Sequence, residues 1–284
     1  MMRIEEFAKT LSAKSATNQS HSSAQIDLST LALVKEYVYK YITMDIPIDV
    51  KRWYTYVRKQ VQRLNLLEQD DPLLIQFIRE QLLVPPFIKE PESKAKKKPG
   101  NYSKDISSFL EIFRNKEKGF FVEIGNNFTK SQIFEADFSW EGVLIDKDPD
   151  SVNKLLDKKR KAWIVPTCLS LKSTPEMVIF VNTTRKEANR EIIEIHCMPI
   201  NTIFASLNIS RVDYLHLDVH GRENEAFTRL NLTSFPVHVV EIGKSADQKE
   251  KNLLKKHLES AAFKLLALKN ETDRLIYVNP ANAK

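Results

Sequence analysis

The sequence predicts an α/β fold: a mostly parallel sheet with helices on both faces, behind a helical N-terminal extension. Three stretches carry that expectation. Phe120-Phe121-Val122 is an apolar run that enters Glu123-Ile124-Gly125 and then a polar loop. Val143-Leu144-Ile145 is a second apolar run and stops on Asp146. Val212 to Val219 is the third, with Asp218 at its end. A strand that stops at an acid-x-Gly turn, followed roughly 20 residues later by a strand that stops at an acid, is the layout of half a nucleotide-cofactor site. The acid closing the second strand is placed to accept hydrogen bonds from ribose hydroxyls.

Residues 1–26 are polar and Ser-rich and are expected to be a disordered tail. Residues 27–86 are expected as the helical extension. From Asp27 to Met44, Leu31, Val34, Tyr37, Val38, Tyr41 and Ile42 recur at helical spacing. Val50 to Leu67 repeats the pattern with Trp53, Tyr56, Val57, Val61 and Leu64. Asp70-Asp71-Pro72 starts a third helix, since an Asp oxygen caps and Pro suits the first turn. That helix carries Leu73, Leu74, Phe77, Ile78 and Leu82 and stops before Pro85-Pro86. Residues 87–102 are Pro- and Lys-rich and read as a linker.

The domain proper is expected over 103–284. Ser103 to Lys116 reads as a helix leading into the sheet. Strands are expected at Phe120–Ile124, Val143–Ile145, Trp163–Thr167, Val212–Val219 and Val237–Ile242. Helices are expected at Pro149–Lys161, Pro199–Leu207, Arg222–Leu230 and Ala246–Phe263. Val178–Asn182 with Ile192–His196, and Leu265–Leu268 with Leu275–Val278, read as hairpins. Strand–helix alternation argues for a parallel sheet covered on both faces, with ligands at the carboxyl ends of the strands. Glu123, Asp146 and Asp218 are expected at those ends as one constellation.

The glycine content weighs against a working cofactor loop. The chain has six glycines in 284 residues, far below the usual share of about 7%. Gly125 alone lies between Phe120 and Glu141, and Asn126-Asn127-Phe128-Thr129 fills the rest of the loop. Backbone that must approach a ligand closely normally needs glycine.

The formal net charge is +6. The excess is concentrated in Lys94, Lys96, Lys97 and Lys98, and in Lys158, Lys159, Arg160 and Lys161. No nucleic-acid-binding module accompanies these runs, so they read as solvated surface and no nucleic-acid partner is expected. No metal site is expected. No run of about 18 apolar residues exists to cross a membrane, and Met1 to Thr10 lacks the apolar core of a signal peptide. Taken alone, those two features point to the cytoplasm.

Two features point the other way. Asn-x-Ser/Thr occurs at Asn18, Asn101, Asn127, Asn182, Asn208, Asn231 and Asn270, where composition alone would give roughly two. That tripeptide is the acceptor for N-glycosylation in the secretory pathway. The chain also has two cysteines, Cys168 and Cys197. Their spacing alone leaves open whether they pair or are two separate buried thiols.

Phe121-Val122-Glu123-x-Gly125, Trp140-Glu141-Gly142-Val143-Leu144-Ile145-Asp146-x-Asp148-Pro149 and Val212-Asp213-x-Leu215-x-Leu217-Asp218-Val219-x-Gly221-x-Glu223 together resemble the FkbM-type S-adenosylmethionine-dependent methyltransferase domain. Asp70-Asp71-Pro72-Leu73-Leu74-Ile75-Gln76-x-Ile78-Arg79 and Arg160-Lys161-Ala162-Trp163 leading to Cys168-Leu169-Ser170 are similar to its arthropod Star branch. The resemblance covers about residues 70–280. It implies a Rossmann-like S-adenosylmethionine-dependent methyltransferase fold. It also implies cofactor contacts at Glu123, Gly125, Asp146 and Asp218, and it puts Cys168 and Cys197 on neighbouring strands, close enough to bridge.

The departures from the family pattern shape the functional expectation. The family's first loop usually reads Glu-x-Gly-Ala-x-Asp-Gly; here Asn126 stands for the Ala, Phe128 for the Asp and Thr129 for the Gly. His220 replaces the usual Glu. The expectation is therefore a degenerate domain that binds S-adenosylmethionine weakly or not at all. Star-type proteins are membrane-anchored and assist export of growth-factor precursors from the endoplasmic reticulum. The resemblance thus implies a secretory-pathway client and a lumenal location, with any membrane association through an anchor outside this chain. The alternative is an active O-methyltransferase with Asp218 or His220 as base.

Overall fold

Five short apolar strands make the centre of the molecule. β1 (Phe120–Ile124), β2 (Glu141–Asp146), β3 (Trp163–Pro166), β7 (Val212–Leu217) and β8 (Val237–Ile242) pair in parallel, and every residue of β7 and β8 is buried. Burial without alternation is what a parallel sheet covered on both faces requires. The computed structural model describes residues 64–87, 109, 111–113, 116–125, 128–181, 192–243, 248–266 and 275–283. The helices expected at 27–44 and, before Leu64, at 50–67 lie outside the described residues, as do the tail and nearly all of the linker.

β9 (Lys264–Leu266) and β10 (Leu275–Val278) complete a seven-stranded sheet in the order β3-β2-β1-β7-β8-β10-β9, with β10 antiparallel to both neighbours. The fold is Rossmann-like: the chain runs outward from β1 to β3, then returns to place β7 on the other side of β1. The topological switch point therefore lies between the carboxyl ends of β1 and β7.

α1 (Pro72–Phe77) begins where the sequence predicts. The Asp71 carboxylate accepts from the Leu73 amide at 2.8 Å, and the helix continues as a π-helical turn over Ile78–Leu82. α1 packs on α4 (Ile200–Ser206), whose last carbonyls receive Arg79: its Nε donates to the Ser206 oxygen at 2.9 Å. Beyond it, Val84 and Ile164 exchange backbone hydrogen bonds of 2.9 and 3.0 Å. The extension so covers the outer edge of β3, which would otherwise offer unpaired backbone groups.

α2 (Thr129–Phe138) links β1 to β2, α3 (Pro149–Asp157) links β2 to β3, α5 (Glu223–Arg229) links β7 to β8, and α6 (Gln248–Ser260) follows β8. α2 corrects the sequence reading, which has only a polar loop there. Its buried side chains are Lys130, Ser131, Phe134 and Glu135, so it has no apolar stripe to betray it. Phe134 stacks on Trp140 with ring centroids 4.7 Å apart, and Phe113 meets the same indole edge-on at 4.8 Å.

Between β3 and α4 the chain makes a second, three-stranded sheet. β4 (Cys168–Ser170) runs parallel to β6 (Ile192–Pro199), which pairs antiparallel with β5 (Glu176–Val181). Cys168 and Cys197 face each other in register and are disulfide-bonded, with Cα atoms 4.3 Å apart. The sequence separation is 29, for which loop-closure entropy gives a stabilisation of about 3 kcal/mol. Reduction of the unaltered protein is expected to lower its unfolding free energy by about that amount. Denaturant titrations with and without reductant check this; coincident curves would show that the bond adds nothing.

Candidate functional site

At the switch point the backbones of Gly125 and Asp218 pack against each other. Gly125 has φ +90°, and a Cβ there would lie 2.1 Å from the Asp218 carbonyl oxygen. Gly243, just past β8, abuts the same residue from the other side, where a Cβ would lie 2.6 Å from the Asp218 Cγ. The ladder continues past the strands: the Gly125 amide donates to Ile145 at 3.0 Å, the Asp218 amide to Ile124 at 3.0 Å and the Gly243 amide to Leu217 at 2.8 Å. Asp218 therefore fills the space that the glycines leave open. Phe128 is buried in the hydrophobic core.

Asp146 lies at the end of β2, as the sequence predicts. Its carboxylate accepts from the Asp148 amide at 3.0 Å and from the Ser151 hydroxyl. Burial raises its pKa above the ordinary carboxylate value against those bonds. Asp148 in turn caps α3 by accepting from the Asp150 amide at 3.1 Å. The acid expected on a ribose thus ties β2 to the first turn of the following helix.

Glu123 keeps the position that the expected strand gives it, but its carboxylate is buried. It lies one residue short of the strand end, 1% exposed, in register with Leu144 on β2 and His216 on β7. Its oxygens accept from the Ser131 hydroxyl at 2.6 Å and the Ser131 amide at 3.3 Å. Burial raises its pKa to about 7, opposed by Ser131 and by the Arg160 guanidinium. Arg160 corrects a second reading: the sequence places it in a solvated basic run, and the structure buries it. It donates to Glu135 through Nε at 2.9 Å and Nη2 at 2.8 Å, to the Ser131 hydroxyl at 2.7 Å and to the Phe128 carbonyl at 3.2 Å.

A second buried pair flanks the first. Lys130 donates to the Glu241 carboxylate, which also accepts from the Tyr214 hydroxyl, while the Lys130 ammonium sits 4.2 Å from the Phe109 ring centroid. Burial acts to raise the Glu241 pKa, but Lys130, His216 and Tyr214 outweigh it and the net direction is down. Lys130, Glu135 and Glu241 have no part in the sequence-derived site. Only their types, charged residues within apolar surroundings, could have pointed to them.

The exposed part of the site is the loop after β7. His220 has φ +58° and Gly221 φ +93°. The loop is held by Glu223, whose Oε1 accepts the Val219 and Gly221 amides at 3.0 Å each. The His220 Nδ1 stands 3.7 Å from Asp218 Oδ1, with its side chain 54% exposed. The two candidate bases are thus adjacent, at a separation longer than a hydrogen bond.

Tested against S-adenosylmethionine, the described residues present no open cradle. The approach at Gly125 is taken by the Asp218 backbone, and the Asp146 carboxylate is engaged by its own helix. Among the described residues no group of three or more His, Cys, Asp or Glu could hold a metal ion, and no helix is long and apolar enough to cross a membrane. Of the Asn-x-Ser/Thr asparagines, Asn208 and Asn231 are exposed, while Asn18, Asn101, Asn127, Asn182 and Asn270 lie outside the described residues.

The fold defines the class: a Rossmann-like α/β domain. No family model and no curated protein matches the chain. Solved structures similar to it include precorrin-6y C5,15-methyltransferase from Geobacter metallireducens GS-15, at 11% identity over 67% of this chain and 94% of that one, with a TM-score of 0.36. The METTL16 MTase domain is similar in a delta-N form, at 13% identity over 75% and 99% with a TM-score of 0.31. A second crystal form of that domain is similar at 14% identity over 82% and 92%, with a TM-score of 0.33. These are distant likenesses, and the functional reading rests on the residues of this chain.

Proposed function

We propose that this chain is a non-catalytic, Star-like member of the FkbM-type methyltransferase group that works on the lumenal side of the secretory pathway, in the passage of growth-factor precursors from the endoplasmic reticulum to the Golgi. The observation that carries the reading is the Cys168–Cys197 disulfide, because such bonds persist in oxidising compartments and are rare in the cytosol. The Asp218 backbone against Gly125 and the engaged Asp146 support the loss of catalysis. Membrane attachment would come from an anchor outside this chain.

Expression in secretory cells behind a signal sequence tests the location. Asn231 and Asn208 are exposed, so endoglycosidase treatment is expected to increase gel mobility, and Asn231→Gln to remove part of that shift. A chain with no glycan at any of its sequons would return the protein to the cytosol.

The second reading is an active S-adenosylmethionine-dependent O-methyltransferase. The neighbouring Asp218 and His220 favour it, being the two groups placed at the strand ends to accept an acceptor's proton. Calorimetry with S-adenosylmethionine separates the two readings. No heat at micromolar cofactor is expected; saturable micromolar binding would establish the second.

A further inference from the structure

Among the described residues, the buried charges beneath α2 do not balance. Glu123, His216 and Glu241 are register partners across β1, β7 and β8, so their side chains leave the same face of the sheet in one row. α2 lays Lys130, Ser131 and Glu135 over that face, and Arg160 closes it from the segment before β3. All of these residues are buried. Lys130 is matched by Glu241, and Arg160 by Glu135 with which it makes a fork. Glu123 is the third carboxylate against two permanent cations among the described residues. Its direct partner, Ser131, is neutral, and Arg160 reaches it only through that hydroxyl. His216 lies between Glu123 and Glu241 in the same row.

A lone buried anion is costly enough that such a site takes up a proton instead. We propose that the cluster is a one-proton switch. On the acid side of neutrality Glu123 holds a proton, and the described cluster is neutral. On the alkaline side the proton leaves, and one net negative charge remains against the first turn of α2. The raised Glu123 pKa, with burial as its main cause, agrees with that balance.

What the proton controls is the hold on α2. Ionised Glu123 accepts both the amide and the hydroxyl of Ser131, fastening the helix's first turn and the residues entering it to β1. Protonated Glu123 keeps one acceptor fewer. The sign for stability follows. The folded-state pKa of Glu123 lies above the ordinary value of about 4.3, so the folded state binds the proton more tightly. Stability contributed by this proton is full below the ordinary value, falls as pH rises toward about 7, and is flat above it. The inference does not depend on the compartment, although a protein moving through the secretory pathway would pass from neutral to acidic surroundings.

The Ser131 backbone amide reports the switch directly, and its proton chemical shift can be followed by NMR on the purified chain from about pH 5 to 9. The expected result is a single titration with its midpoint near neutrality, absent in Glu123→Gln. Glu135→Gln, which frees Arg160 to neutralise Glu123, is expected to move the midpoint to lower pH by about one unit or more. A Ser131 amide that does not titrate in this interval overturns the proposal. So does a titration that survives Glu123→Gln unchanged, or a midpoint indifferent to Glu135→Gln. Should Glu123→Gln fail to fold, the Glu135→Gln shift alone decides.

Discussion

Replacing Arg160 by alanine is expected to destabilise the fold by about 3–5 kcal/mol. The side chain of Arg160 is 2% exposed and that of Glu135 is 6% exposed. The guanidinium also donates to the Ser131 hydroxyl and the Phe128 carbonyl. Its removal leaves the Glu135 carboxylate buried with its cation gone, and takes one donor each from the Ser131 hydroxyl and the Phe128 carbonyl. That asymmetry, more than the attraction of the pair itself, makes the loss large. Lys158→Ala, two residues away and exposed, should change stability by no more than about 0.5 kcal/mol. Chemical denaturation of the two variants compares them; equal effects would mean that Arg160 does not hold α2 to the sheet.

Gly125→Ala is expected to cost about 2–5 kcal/mol, the sum of a left-handed backbone for a residue with a side chain and of overpacking. The contact is with backbone, the Asp218 carbonyl oxygen 2.1 Å from the new Cβ, so relief requires β1 and β7 to part at their carboxyl ends. Gly221 separates the two contributions. It has φ +93°, but a Cβ there would meet nothing within 4 Å, so Gly221→Ala carries the backbone strain alone, about 1–2 kcal/mol. A Gly125 variant no worse than the Gly221 variant would show that the strand ends are looser than their geometry implies.

These two residues mark how far the sequence could be read. The strands were legible because their apolar runs stop at Asp146, Asp218 and Gly125, and chain stops are local. Of the three acids, Asp146 and Asp218 stand at or just past their strand ends, while Glu123, in register with Leu144 and His216, lies one step deeper on the same side of the sheet, where burial and not position changes its role. α2 was not legible as a helix because it buries Lys130, Ser131 and Glu135. Its partners lie far away in the chain: Lys130 and Glu241 are 111 residues apart, Glu135 and Arg160 25 apart. No window of neighbouring residues contains such pairs. The same holds for Arg160, which stands among three solvated lysines and differs from them only in what the fold brings against it.

The bond at the base of the small sheet has a further consequence. Cys168 and Cys197 bracket β5, the segment that follows it in the sequence and most of β6. A protease that cuts between them divides the polypeptide into two pieces, but these stay covalently joined through the bridge, and the sheet order on either side is untouched. The inserted lobe can therefore be nicked, or diverge in length, without releasing half of the domain. Its excursion is a closed loop tethered at one point, and the seven-stranded sheet is insulated from what happens there.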